Sequence, residues 1–421
     1  MTRASLKTFE VPHKRGTMKI ITPETILSPT EQLSGMSIAF DTHIRAIGQL
    51  HELLEQFPDA EFIETPLHSM VMPGLINPHV HLEFSGNRET LKYGSFMEWL
   101  SSVIEHREEL IGNCDEQCMA KACDAMLANG ITTFGAVSSY AMDLEVAAKA
   151  KQKVVFFNEV IGSQATMADT LYDDFMSRLE ASQSVEREGF YPAIAIHSPY
   201  SVHPALIKRA LKYASQHGLI TSAHYMESPA EKEWLDSNSG DFEPFFKEFL
   251  KQDYAVNTSQ AFLELFRGKP TLMTHVVQAN DEELQELAKE GHTVIHCPIS
   301  NRLLGNGTID LKKLDENKVP WIMGTDGLSS NYALDLLEEM KIALFMHSDR
   351  ELMPLAQELL ERATLYSAQA LGLNTGEIAV GKEADLLVID LENTPNDQLA
   401  LHLLLHGYNI RHIFINGNEV T

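Results

Sequence analysis

The chain has 421 residues, 44% of them hydrophobic and 22% charged, a balance that suits one barrel-sized unit plus a smaller one. Its formal net charge of −26 argues against a nucleic-acid or anionic-membrane partner, since both select basic patches. No apolar run approaches the roughly 18 residues of a membrane span, and the start carries no apolar core of a secretory signal. Cys114, Cys118, Cys123 and Cys297 form no Cys-x-x-Cys pair and read as reduced thiols of a cytoplasmic protein.

Taken in order, residues 1–17 are polar and basic and read as an N-terminal extension outside the fold. Residues 18–70 carry short alternating stretches, at 38–41 and 43–47, expected as strands of a small sheet, with a helical turn over 52–57. The same texture returns in 374–421, at 384–390 and 412–417. The two ends are therefore expected to form one composite β domain, a small β-sandwich. Between them, 71–373 alternates short apolar runs with helix-period segments such as 117–127, 204–216 and 281–289. The predicted strands are 71–78, 131–136, 154–158, 192–197, 219–224, 271–275, 293–296 and 321–326. Alternating strand and helix implies parallel pairing, and eight such units predict an α/β fold of the TIM-like (β/α)8 barrel type.

The predicted strand ends carry the chemistry. His79-Val80-His81 closes the first strand, and residues two apart in a strand point to the same side. His197, His224, His275 and His296 end four later strands, and Asp326 ends the eighth. In such a barrel the C-terminal strand ends converge on one face, where active sites lie. Each histidine taken singly reads more simply as a core residue; their recurrence at one relative place is the informative feature. His79, His81, His224 and Asp326 would make an N3O site for one divalent metal ion, Zn2+ or Fe2+. No lysine ends the fourth strand to bridge a second ion, since His197 stands there. Glu227, three residues after His224, is placed to carry protons.

With these motifs in hand, the chain resembles the amidohydrolase superfamily, in its branch of cytosine and S-adenosylhomocysteine deaminases. The resemblance rests on Met72 to His81, His224-Tyr225-Met226-Glu227, His296-Cys297-Pro298-Ile299-Ser300-Asn301, Gly324-Thr325-Asp326-Gly327 and the terminal Gly376 to Leu386. The stretches 81–87, 93–100, 157–163 and 197–203 are similar to the aminodeoxyfutalosine deaminases of menaquinone biosynthesis. That resemblance implies hydrolytic loss of ammonia from the adenine of aminodeoxyfutalosine, giving futalosine. By the same carry-over His275, with Asp326, would polarise the attacking water, Glu98 would bind ribose hydroxyls and His197 would contact the purine. The region 158–170 has no arginine of the kind that holds the amino-acid carboxylate in the S-adenosylhomocysteine enzymes. Arg107 and Arg302 are then the candidates for a substrate carboxylate, against the simpler reading of each as an ion-pair residue. The expected partner is a small adenine nucleoside, with no nucleic acid and no membrane; a homodimer is compatible with this reading. Alternatives are another adenine nucleoside deaminase, a hydrolase of a cyclic amidine or triazine, and a degenerate, non-catalytic barrel. The last would be expected to have lost a ligand or Glu227, and all are present.

Overall fold

The computed structural model describes residues 17–420 apart from 30, 88 and 395. The extension expected over 1–17 lies, but for Thr17, outside the described residues. The middle of the chain forms an eight-stranded parallel sheet in strict sequence order: Leu75–Val80, Ile131–Ser138, Lys153–Val160, Phe190–Ile196, Thr221–Tyr225, Leu272–His275, Thr293–His296 and Trp321–Met323. The eighth and first strands meet where the Asp326 N–H donates to the His79 carbonyl at 3.1 Å. A second tie runs from the Thr325 N–H to Asn77 Oδ1 at 3.2 Å. The sheet is thereby drawn round into a barrel, with helices between successive strands. Helix Pro204–His217 shows why these segments are helical: proline fills its first turn, apolar residues recur on one face, and Gly218 ends it at φ 66°.

One expectation needs correction. The run 71–78 is not one strand. Gly74 divides it into Ser69–Pro73, which joins an outer sheet, and Leu75–Val80, which opens the barrel. A Cβ on Gly74 would stand 2.1 Å from Thr132 Oγ1, so only glycine lets the chain pass from one sheet to the other here.

Two further sheets come from the chain ends. A four-stranded sheet holds Ile44–Gly48, Ser37–Phe40, Lys19–Ile21 and Glu61–Ile63. A six-stranded sheet joins Asn418–Glu419, Asn409–Ile415 and Leu386–Asp390 to Ser69–Pro73, Thr25–Ser28 and Glu31–Ser34. Ile38, Phe40 and Ile21 of one pack on Val71, Leu386 and Phe414 of the other, and the Phe40 and Phe414 rings lie 5.2 Å apart. This core is separate from the larger one between barrel and helices. No helix among the described residues is long and apolar enough to cross a membrane.

Candidate active site

The barrel's C-terminal end gathers side chains from four strands. His79 and His81 leave the first strand with ring centroids 4.9 Å apart. His224 enters from the fifth, its Nε2 3.3 Å from His81 Nε2. Asp326 follows the eighth, with Oδ1 3.6 Å from His79 Nε2 and 3.7 Å from His81 Nε2. His275 ends the sixth, with Nε2 3.9 Å from Asp326 Oδ2 and 3.6 Å from Glu227 Oε1. His79, His81 and Asp326 form one compact donor group, and His79, His224 and His275 another.

Each donor is aimed by a partner. The Nδ1–H of His224 donates to the His197 carbonyl at 2.8 Å, which leaves Nε2 as a lone pair facing His81. The Nδ1–H of His275 donates to Asn301 Oδ1 at 2.9 Å, which likewise leaves its Nε2 an acceptor. Asp326 Oδ2 accepts from Ser300 and Ser330, each at 2.7 Å, and Oδ1 accepts from the Gly327 N–H at 2.7 Å. His79 Nε2 is buried without a hydrogen-bond partner.

The electrostatics point the same way. Burial and then the neighbouring imidazole of His79 push His81 down to about 4. Burial does the same to His275, also to about 4, and takes His224 well below the usual range. These rings are neutral at physiological pH. Burial opposes ionisation of Asp326, but the facing rings of His79, His81 and His275 prevail and hold its carboxyl well below the usual range. Neutral lone pairs converging on a carboxylate, one of them orphaned, repel each other unless a cation lies among them. The donor set therefore fits a divalent metal. Glu227 is the opposite case. Burial, then the charges of Asp326 and Glu231, hold its carboxyl well above the usual range and favour its protonated form. Asn306 Nδ2 donates to its Oε1 at 3.2 Å, and Glu231 accepts the backbone N–H of both Met226 and Glu227, at 3.1 and 2.7 Å.

The backbone is strained at the same points. Met226, His275, Val276 and Asp326 stand at φ of 49°, 74°, 55° and 59°, a region that non-glycine residues rarely occupy. Such conformations cost about 1–3 kcal/mol each and persist where surrounding structure imposes them.

The remaining sequence candidates are placed as follows. His197 is beside the cluster, its ring 5.2 Å from that of His224 and its Nδ1 2.6 Å from Ser201 Oγ. Glu98 is exposed in the first turn of helix Phe96–Glu105, which Trp99 ties to the loop after the eighth strand through Nε1–H to the Ser329 carbonyl, 2.9 Å. Arg302 is exposed on Pro298–Leu303. Arg107 Nη2 donates to Tyr140 Oη at 2.7 Å. His296 does not join the group. Its Nε2 meets His347 Nε2 at 3.1 Å, on the outward side of the seventh strand.

Two carboxylates escaped the sequence reading. Glu159, at the end of the third strand, has Oε1 3.9 Å from His224 Nδ1 and Oε2 accepting from Ser139 Oγ at 2.6 Å. Glu83, two residues after His81, accepts the N–H groups of Ser139, Tyr140 and Met142 at 2.8–3.0 Å. Both stand at strand ends, so a search there for carboxylates as well as histidines would have found them. Glu159, His197 and His224 also lie close enough to share an ion, but the Nδ1 that His224 would offer already donates to a carbonyl.

A model of the amidohydrolase family matches residues 70–420. An aminodeoxyfutalosine deaminase of Nitratiruptor sp. is 48% identical over 404 residues, 96% of this chain and 99% of that one. An adenosine deaminase of Helicobacter pylori is 32% identical over 93% of this chain and 96% of that protein. The crystal structure of Helicobacter pylori aminofutalosine deaminase with methylthio-coformycin superposes at a TM-score of 0.90, with 31% identity over 96% of this chain and all of that one.

Proposed function

This chain belongs to the amidohydrolase family, and from that premise we propose that it is a hydrolytic deaminase that converts aminodeoxyfutalosine to futalosine and ammonia. The observation that carries the substrate is the 48% identity to a deaminase of that name over nearly the whole of both chains. The barrel fold and the deaminase chemistry, hydrolysis of a C–N bond, are common to the relatives. We place the reaction on the futalosine route to menaquinone.

We assign His79, His81, His224 and Asp326 to one divalent ion, Zn2+ or Fe2+, as both accept imidazole and carboxylate donors. Such an ion supplies Lewis acidity, which makes a water acidic enough to attack near neutral pH. The protein's own groups do the rest. His275, neutral and with its Nε2 lone pair directed inward by Asn301, accepts a hydrogen bond from the attacking water and orients it. The ionised Asp326 carboxylate draws off its proton. Glu227 holds a proton to give to the ring nitrogen beside C6, which makes that carbon electrophilic. Glu227, ionised by that step, passes the proton drawn to Asp326 on to the departing amine, so that ammonia leaves, and regains its own from the C6 hydroxyl as the carbonyl forms. The mouth next to His224 suits the purine against His197, with Glu98 on the adjoining helix for the ribose hydroxyls.

The relative named adenosine deaminase supports a second reading, a simpler adenine nucleoside as substrate. Ammonia release across aminodeoxyfutalosine, adenosine, methylthioadenosine and S-adenosylhomocysteine separates the two. Aminodeoxyfutalosine should have the highest kcat/KM; a tenfold preference for any other member would overturn the substrate while leaving the deaminase.

A further inference from the structure

We propose that Arg107 and Tyr140 form a carboxylate subsite at the barrel mouth, which takes the ionised group on the aryl arm of the substrate; this rests on the reading that the substrate is aminodeoxyfutalosine. Tyr140 follows the second strand by two residues, at the same end of the barrel as the metal-fitting cluster. Its neighbour Ser139 connects to that cluster through Glu159, which reaches His224. Glu83, two residues beyond His81, accepts the Tyr140 N–H at 3.0 Å and those of Ser139 and Met142 beside it, so the loop is held from below by a buried carboxyl. Tyr140 is thus a fixed point on the rim, 38% exposed.

Arg107 sits on this platform. Its Nη2 donates to Tyr140 Oη at 2.7 Å and its guanidinium lies 5.1 Å from the ring centroid. Most arginines among the described residues are spent on carboxylates, as Arg178 on Asp174, Arg209 on Asp169 and Arg350 on Glu358. Among the described residues Arg107 instead meets a neutral phenol. Its remaining N–H donors are open to an anion, and because Tyr140 accepts from it, the phenolic hydrogen is free to donate to the same anion. Placement matters because Glu159 and Asp326 are buried at this end of the barrel, in a chain of net charge −26. That field repels an anionic arm unless a cation meets it at the rim. Glu98 and Arg107 also stand on successive helices, Phe96–Glu105 and Arg107–Gly112, so ribose and arm contacts would come from one edge of the mouth.

The test compares aminodeoxyfutalosine with its primary carboxamide, which keeps the shape and removes the charge. Wild-type enzyme should prefer the acid, and raised ionic strength should weaken that preference. Arg107→Gln should lower kcat/KM for the acid about 10-fold to 100-fold, through KM, the usual range for a charge-assisted hydrogen bond. The carboxamide should change less than about threefold. Tyr140→Phe should act in the same direction and by less. Equal losses on both substrates, or an unchanged acid, would overturn the subsite. Wild-type enzyme that deaminates both equally would overturn it while leaving the deaminase reading. Wild-type enzyme that deaminates neither would remove the substrate reading and the subsite with it.

Discussion

Glu227 is a carboxyl whose surroundings, not its chemistry, set its role. Its burial and the like charges of Asp326 and Glu231 favour the protonated form, while Asn306 fixes one oxygen. A Gln there keeps the size and the hydrogen bond but cannot give and take a proton in turn. Glu227→Gln should cut kcat by about 10²–10⁴-fold, the usual worth of general acid–base catalysis. Metal content should stay near one equivalent per chain, because the assigned ligands are untouched. Unchanged kcat would remove Glu227 from the chemistry, and lost metal would make it a ligand.

At the level of elements, the barrel depends on close approaches that only small side chains permit. The Cβ added by Gly74→Ala would overlap Thr132, the residue next to the start of the second strand. Overpacking of this kind costs about 1–3 kcal/mol. The variant should melt several degrees lower, as read by differential scanning calorimetry; an unshifted melting temperature would mean that the two strands separate freely. The sixth and seventh strands contain a pH-sensitive join. His292, just before the seventh, accepts the Thr271 N–H through Nδ1 at 3.1 Å, and burial pushes it down to about 4. The unfolded chain takes up that proton nearer 6.5, so it binds more protons than the folded chain between these values. Stability from this residue is complete above about pH 6.5 and lost as pH falls towards 4, by at most about 3 kcal/mol. His292→Gln, whose amide oxygen can still accept from Thr271, should flatten urea-unfolding free energy against pH in that window. A slope identical to wild type would assign the acid sensitivity elsewhere.

For the whole molecule, the barrel and the outer sheets are joined by a buried charge. Lys153 opens the third barrel strand, and its Nζ lies against Asp385 Oδ2 at 2.5 Å and against Glu383, both from the segment leading into Leu386–Asp390. Asp385 also accepts the Asn416 N–H at 2.8 Å, so one carboxylate organises both C-terminal strands under the barrel. Removing one partner of a buried pair strands the other charge, at about 3–5 kcal/mol. Lys153→Met should therefore be severely destabilised in chemical unfolding, and adding Asp385→Asn should recover part of the loss. A double variant no better than the single one would show that packing of the lysine stem, not charge, makes the join.

The amino-acid order by itself determined the fold class and most of the candidate centre, because both depend on short periods. Strand and helix alternation dictates a parallel barrel, and a parallel barrel brings its strand ends together, so His79, His81, His224, His275 and Asp326 could be named from position alone. Proximity did not follow for His296, which turns outward to His347, nor did the break of the first strand at Gly74. Only the tertiary structure decided those, because each depends on a neighbour distant in the chain: His347 lies 51 residues from His296. Protonation is the clearest case. Asn301 sets the proton position of His275 from 26 residues away, and Asn306 binds Glu227 from 79. The pairing of Arg107 with Tyr140 across 33 residues is of the same kind. Local order specifies where a side chain can be; burial and distant partners specify which proton it carries and what it can hold.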